Sequence, residues 1–151
     1  MNRWKALIVF LLLAFAAGGV GSLAMPDAWY EALSKPSFNP PNWVFAPVWT
    51  ALFVLMAVAA WRVYRRDGFG PAIGLWLAQL VFNAAWSPLF FGAHRIALAL
   101  ADIIVLLALI VATTVAFFRR DRIAGALLLP YLAWVAFATV LTLSILRLNP
   151  P

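Results

Sequence analysis

The sequence predicts an all-α membrane protein, a five-transmembrane-helix bundle with a long ordered first loop. Two observations carry this. First, the 151 residues are 66% hydrophobic and only 11% charged, with a mean hydropathy of +0.98. A soluble domain runs at roughly 45–50% apolar and about 25% charged, and a chain this small cannot hide the excess from water. Second, the apolar residues fall into five windows of about 20, the length that crosses about 30 Å of hydrocarbon. They are Ala6–Met25, Trp43–Trp61, Pro71–Ala93, Ile96–Phe118 and Ile123–Leu146. In lipid each backbone must satisfy its own hydrogen bonds, so the windows read as helices. The alternating ten-residue strands of a β-barrel are absent. A single domain over residues 1–151 follows.

Taken in order, the first window resembles a signal peptide in its basic start, Arg3 and Lys5. Its apolar stretch is longer than a usual signal core, and Pro-Asp follows Met25, so it reads as a retained helix. The loop Pro26–Asn42 is the long one, rich in proline (Pro26, Pro36, Pro40, Pro41) and aromatic residues (Trp29, Tyr30, Phe38), which favours an ordered lid. The remaining connections are short and make neighbours antiparallel. Lysine and arginine sort by side. Arg3, Lys5, Arg62, Arg65, Arg66, Arg119, Arg120 and Arg122 share one, while Lys35, Arg95 and Arg147 lie on the other. In a bacterial inner membrane that places the N-terminus in the cytoplasm; an outer-membrane location leaves sidedness open.

The net charge of +6 sits in short clusters between apolar runs, as topology signals and headgroup contacts do, and no nucleic-acid partner is expected. There is no cysteine, so no disulfide and no thiolate chemistry. The lone His94 has no second histidine to complete a metal site, and none is expected; nor is a cofactor. Serine triads, paired intramembrane carboxylates, phosphate loops and HExxH motifs are all absent. Gly18-Gly19-Val20-Gly21 follows no strand and reads as a place for close helix contact. Gly70, Gly74 and Ala78 give a small-xxx-small face suited to a homodimer or to packing within one bundle.

Several side chains fit neither lipid nor plain packing. Of eight tryptophans, Trp4, Trp29, Trp43 and Trp61 lie near span ends as interface anchors. Trp49, Trp76, Trp86 and Trp134 lie deeper. Phe45, Trp49 and Phe53 share one helical face at i, i+4, i+8, and Tyr131, Trp134 and Ala138 share another at i, i+3, i+7. Such aromatic stripes serve packing or a pocket. Gln79, Asn83 and Ser87 form a polar stripe beside Trp86; amides facing lipid are costly, so these bond across helices or line a cavity. Asp102, about two turns into the fourth window, needs a partner, a proton or a wet cavity, because an intramembrane carboxylate costs about 2.5–3.5 kcal/mol on insertion scales.

Four motifs in order resemble the tryptophan-rich sensory protein / translocator protein family, also called peripheral-type benzodiazepine receptors. They are Trp29-Tyr30-x-x-Leu33-x-Lys35-Pro36-Ser37 through Asn39-Pro40-Pro41, then Trp43-Val44-Phe45-x-Pro47-Val48-Trp49-Thr50. Next come Phe82-Asn83-x-x-Trp86-Ser87-Pro88-Leu89-Phe90-Phe91-Gly92 and Pro130-Tyr131-Leu132-x-Trp134-x-x-Phe137-Ala138-Thr139, with Arg147-Leu148-Asn149 at the end. The resemblance spans essentially the whole chain. It implies a five-helix bundle, often dimeric, with a pocket for porphyrins, sterols and benzodiazepine-type ligands beneath the first loop. Its walls would be Tyr30, Pro40, Phe45, Trp49, Phe53, Asn83, Trp86, Ser87, Asp102, Leu106, Trp134 and Ala138. It also implies a role in porphyrin or stress regulation as a receptor or transporter. The alternatives are light- and oxygen-dependent porphyrin breakdown at Trp49 and Trp134, or a membrane scaffold. The chain departs from the family pattern at Ala46, where glycine is common. It also lacks the tyrosine that usually precedes the final arginine of the fifth helix, which breaks the sterol motif.

Overall fold

A computed structural model describes residues 2–150. Its regular structure is helical: α1 (Arg3–Ser22), α2 (Ala28–Ala32), α3 (Phe45–Asp67), α4 (Pro71–Ser87), α5 (Ile96–Arg120) and α6 (Arg122–Leu148). A 3₁₀ turn, Asn42–Val44, leads into α3, and a π-helical turn, Pro88–Gly92, extends α4. All but α2 are long and apolar enough to cross a membrane, which makes this a multi-pass membrane protein.

The helix ends follow from local chemistry. Asn2 caps α1, its side-chain oxygen accepting from the Trp4 N–H at 2.9 Å, and Asp27 caps α2 through the Tyr30 N–H at 3.2 Å. Helix α3 runs on past Trp61 to Asp67, so Arg62, Arg65 and Arg66 sit on its last turns rather than in a loop. Arg65 and Arg66 there, like Arg119 and Arg120 on α5, complement the negative end of the helix dipole. Gly68 stops α3 at φ +68, a backbone region that costs other residues dearly. Pro71 opens α4, where its missing N–H is no loss.

Beyond Ser87, Pro88 cannot donate to the preceding turn, and the chain widens: the Ala93 N–H bonds the Pro88 carbonyl at 2.8 Å. This turn aims Phe90 and Phe91 at Trp86, with centroids 4.9 and 5.7 Å away.

The charged end of the bundle gathers the start of α1, the end of α3, and the α5–α6 junction. Trp4 stacks on Trp61 at 5.7 Å, and the Trp61 indole donates to the Arg3 carbonyl at 2.7 Å. Arg62 forms a salt bridge with the buried Asp121 at 2.8 Å. Burial alone would raise the Asp121 carboxyl. Hydrogen bonds from Arg62 and from the N–H groups of Ile123 and Ala124 outweigh it and hold the group below the usual carboxylate range.

At mid-bundle Trp76, Phe10 and Tyr131 are fully buried. The Tyr131 hydroxyl donates to Gln79 Oε1 at 2.6 Å and accepts from Asn83 Nδ2 at 2.7 Å, tying α4 to α6. Interhelical bonds of this kind average about 0.6 kcal/mol in membranes, so the network fixes register more than it adds stability.

Candidate ligand cavity

Above the Tyr131 layer the helices part around a cavity of about 650 Å³, within the range of about 300–1,000 Å³ that small-molecule sites occupy. Its first wall is the stripe expected on α3: Phe45, Trp49 and Phe53 all line it. Opposite stand Trp134 and Ala138 of α6, with Trp134 edge-on to Phe45 at 5.9 Å. Asn83, Trp86 and Ser87 of α4 and Leu106 of α5 close the far side, and Tyr30 of α2 reaches in from the lid. The polar stripe divides by depth: Gln79 is spent on Tyr131, Asn83 bonds Tyr131 and also reaches the cavity, and Ser87 lines it.

Two residues of the expected set do not line the cavity. Pro40 is half-buried in the lid; its carbonyl accepts from Asn39 Nδ2 at 3.4 Å, while Asn39 Oδ1 accepts from the Tyr30 hydroxyl at 3.2 Å. It therefore supports Tyr30. Asp102 is buried on α5, one residue before the lining Ile103, and its Oδ2 has no hydrogen-bond partner. The face Gly70, Gly74 and Ala78 lies elsewhere on the molecule; both glycines are exposed, and a Cβ added at either meets nothing within 4 Å.

Sequence reasoning missed an entire wall. The C-terminal part of α1 contributes Phe15, Gly18, Gly21 and Ser22, and the segment just after it Met25. The glycine run was its only signal, and it marks a place where side chains are missing: a Cβ on Gly18 would sit 2.6 Å from the Phe53 ring.

The lid is held in place. Asn149 bonds Ser34 twice, accepting from its N–H at 3.0 Å and donating to its carbonyl at 2.7 Å. His94 stacks on Trp29 at 4.1 Å and lies 3.6 Å from the Asp27 carboxylate. Burial pushes the Tyr30 phenol above its ordinary value, so it remains a neutral donor at physiological pH. Lys35 places its ammonium 4.7 Å from the Tyr30 ring centroid. No Asp, Glu, Lys, Arg or His lines the cavity, and no group of three or more potential metal ligands occurs among the described residues.

The sequence profile of the TspO/MBR family matches residues 7–148. The chain belongs to the TspO/MBR family. It is 45% identical to a tryptophan-rich sensory protein of Cereibacter sphaeroides, over 97% of this chain and 92% of that one. It is 41% identical to the tryptophan-rich protein TspO of Chlorobaculum tepidum, covering 96% and 95% of the two chains. With the human translocator protein it shares 41% identity over 80% of this chain and 75% of the relative.

Proposed function

We propose that the protein is a membrane receptor or transporter-like binder of porphyrins and related flat, apolar ligands, including benzodiazepine-type compounds. One observation carries this reading: an uncharged cavity with indole faces on two walls, Trp49 and Trp134, beneath a lid bearing a cation at Lys35. A porphyrin is a flat macrocycle with carboxylates along one edge. Its ring needs the aromatic walls, and its carboxylates, too costly to bury unpaired, need the lid. Titrating the purified protein in detergent with protoporphyrin IX is expected to quench tryptophan fluorescence to saturation. Trp134→Ala removes a wall and should cost about 1–3 kcal/mol of binding, the scale of a large side chain's contact surface. Trp4→Phe, stacked on Trp61 at the opposite end, should change nothing. Quenching that never saturates, or equal losses from both variants, would sink the reading.

The enzyme alternative is favoured only by Trp49 and Trp134 both reaching the cavity. Under light and dioxygen, catalysed porphyrin loss that disappears in Trp49→Phe while affinity survives would establish it.

The open Gly70 and Gly74 surface also supports a homodimer, since neither glycine is needed for packing within the chain. Gly74→Leu should convert a dimer to a folded monomer in detergent sizing by light scattering. An unfolded variant would assign the face to the bundle itself.

A further inference from the structure

We infer that ligand reaches the cavity sideways from the bilayer, through a slot between α1 and α3, and not through the lid. This route rests on the binding reading above and adds where the ligand comes from: a pool of apolar molecules dissolved in the membrane.

The slot arises because α1 keeps only one of its two partners as it rises. Up to Phe15 it packs on both α3 and α4, with Phe10 against Tyr64 at 5.7 Å and Trp76 at 5.3 Å, and Phe15 against Phe53 at 5.8 Å. At Gly18 it still touches Phe53. One turn higher Gly21 faces Ser87 of α4, where an added Cβ would lie 3.6 Å from the hydroxyl oxygen, and Ala24 lies against Gly92 of the π-helical turn. The chain stays with α4 at this height, and neither of these upper contacts is to α3.

Exposure marks the gap. The cavity-lining residues that are also exposed belong to the two rims and the turn before α3: Phe15, Gly19, Ser22 and Met25 on one side, Ala46 and Thr50 with Asn42 on the other. Those from α4, α5 and α6 are buried or half-buried. Thr50 and Ala46 share one helical face, and at 1.5 Å per residue Thr50 lies roughly 7 Å below the start of α3, already inside the apolar span.

The rim chemistry suits lipid. Both hydroxyls bond back to their own helices, Ser22 to the Gly19 carbonyl and Thr50 to the Ala46 carbonyl, each at 2.8 Å, so neither presents an unmet polar group. The lid offers the opposite. To lift, it must break the paired Ser34–Asn149 bonds and the Trp29–His94 stack, while Tyr30–Asn39 and Asn42–Glu31 hold the lid together as one piece. A solute dissolved among acyl chains meets an open apolar slot; one in water meets a fastened cover.

Because the chain has no cysteine, the two routes can be clipped separately. Ser22→Cys with Ala46→Cys, joined by a flexible bis-maleimide, closes the slot; Ser34→Cys with Asn149→Cys, joined likewise, fixes the lid. Protein in phosphatidylcholine vesicles is mixed with protoporphyrin IX in the same lipid, and tryptophan quenching is followed in time. Measured against the same double-cysteine protein left unclipped, the slot clip should slow association and release together by at least about tenfold each, because a blocked path changes both rates in parallel. The lid clip should leave both rates as in wild type. Should the unclipped first pair fail to bind, Gly19→Cys with Thr50→Cys carries the same test. Unchanged rates under the slot clip, or equal slowing under the lid clip, overturn the route. Failure of wild type to quench at all overturns the pocket reading instead.

Discussion

Gly18→Leu is expected to weaken protoporphyrin IX binding by about a hundredfold, about 2.7 kcal/mol, while the bundle stays folded. The Cβ alone would lie 2.6 Å from Phe53 Cε2 and 3.1 Å from Cζ, so the ring must turn away. Phe53 already lines the cavity and is 5.5 Å from Trp49, so the space open to its displaced ring is the ligand's own. The leucine side chain then takes more. Gly18→Ala displaces the ring with less added bulk and should cost about tenfold, about 1.4 kcal/mol. Both substitutions improve helix propensity, by up to about 1 kcal/mol for alanine, which offsets the crowding. Thermal unfolding in detergent should therefore move little while fluorescence titration shows the loss. Unchanged affinity in both variants would mean that Phe53 does not bound the ligand's space.

The crowding at Gly18 leaves no mark in the sequence, and the reason is physical. The walls on α3, α4 and α6 were legible because bulky or polar residues at i, i+4 or i, i+3 spacing mark a face. Phe45, Trp49 and Phe53 are such a face, and so are Trp134 and Ala138. The wall on α1 is built from backbone: Gly18 and Gly21 carry no side chain to form a pattern, and what they signify depends on which helix passes them. Asp102 is a different case. A carboxylate at that depth signals cost but not direction, and one residue along α5 separates it from the lining Ile103. Pro40 illustrates a third limit: it belongs to the lid motif, but its part is to brace Asn39 and through it Tyr30. The basic residues after the second window lie on helical backbone and not in a loop. Composition sees arginines after an apolar run, and cannot see that α3 continues through Arg62, Arg65 and Arg66 until Gly68 turns it. That continuation is what brings Arg62 to Asp121.

Asp121→Ala should be the most destabilising single substitution at the charged end of the bundle. The side chain does two jobs. It caps α6 by accepting the Ile123 N–H at 2.9 Å, a role worth about 1 kcal/mol. It also holds Arg62 at 2.8 Å. Removing one partner of a fully buried pair costs about 3–5 kcal/mol, but Arg62 is 34% exposed and water recovers part of that, so about 2–3 kcal/mol in total is expected. Asp121→Asn keeps a capping oxygen and loses the charge, and should fall between alanine and wild type. The pH dependence separates the two roles. The native carboxyl is held below its ordinary range, so the folded state favours the ionised form. The ion-pair contribution is complete above the unfolded value of about 4 and is lost as pH falls through the lower native one. Wild-type unfolding temperature in detergent should thus drop below about pH 4, and the advantage over Asp121→Asn should vanish there. A gap between the two that stays constant down to pH 2 would show that Asp121 stabilises the α5–α6 junction by shape and capping, with no contribution from its charge.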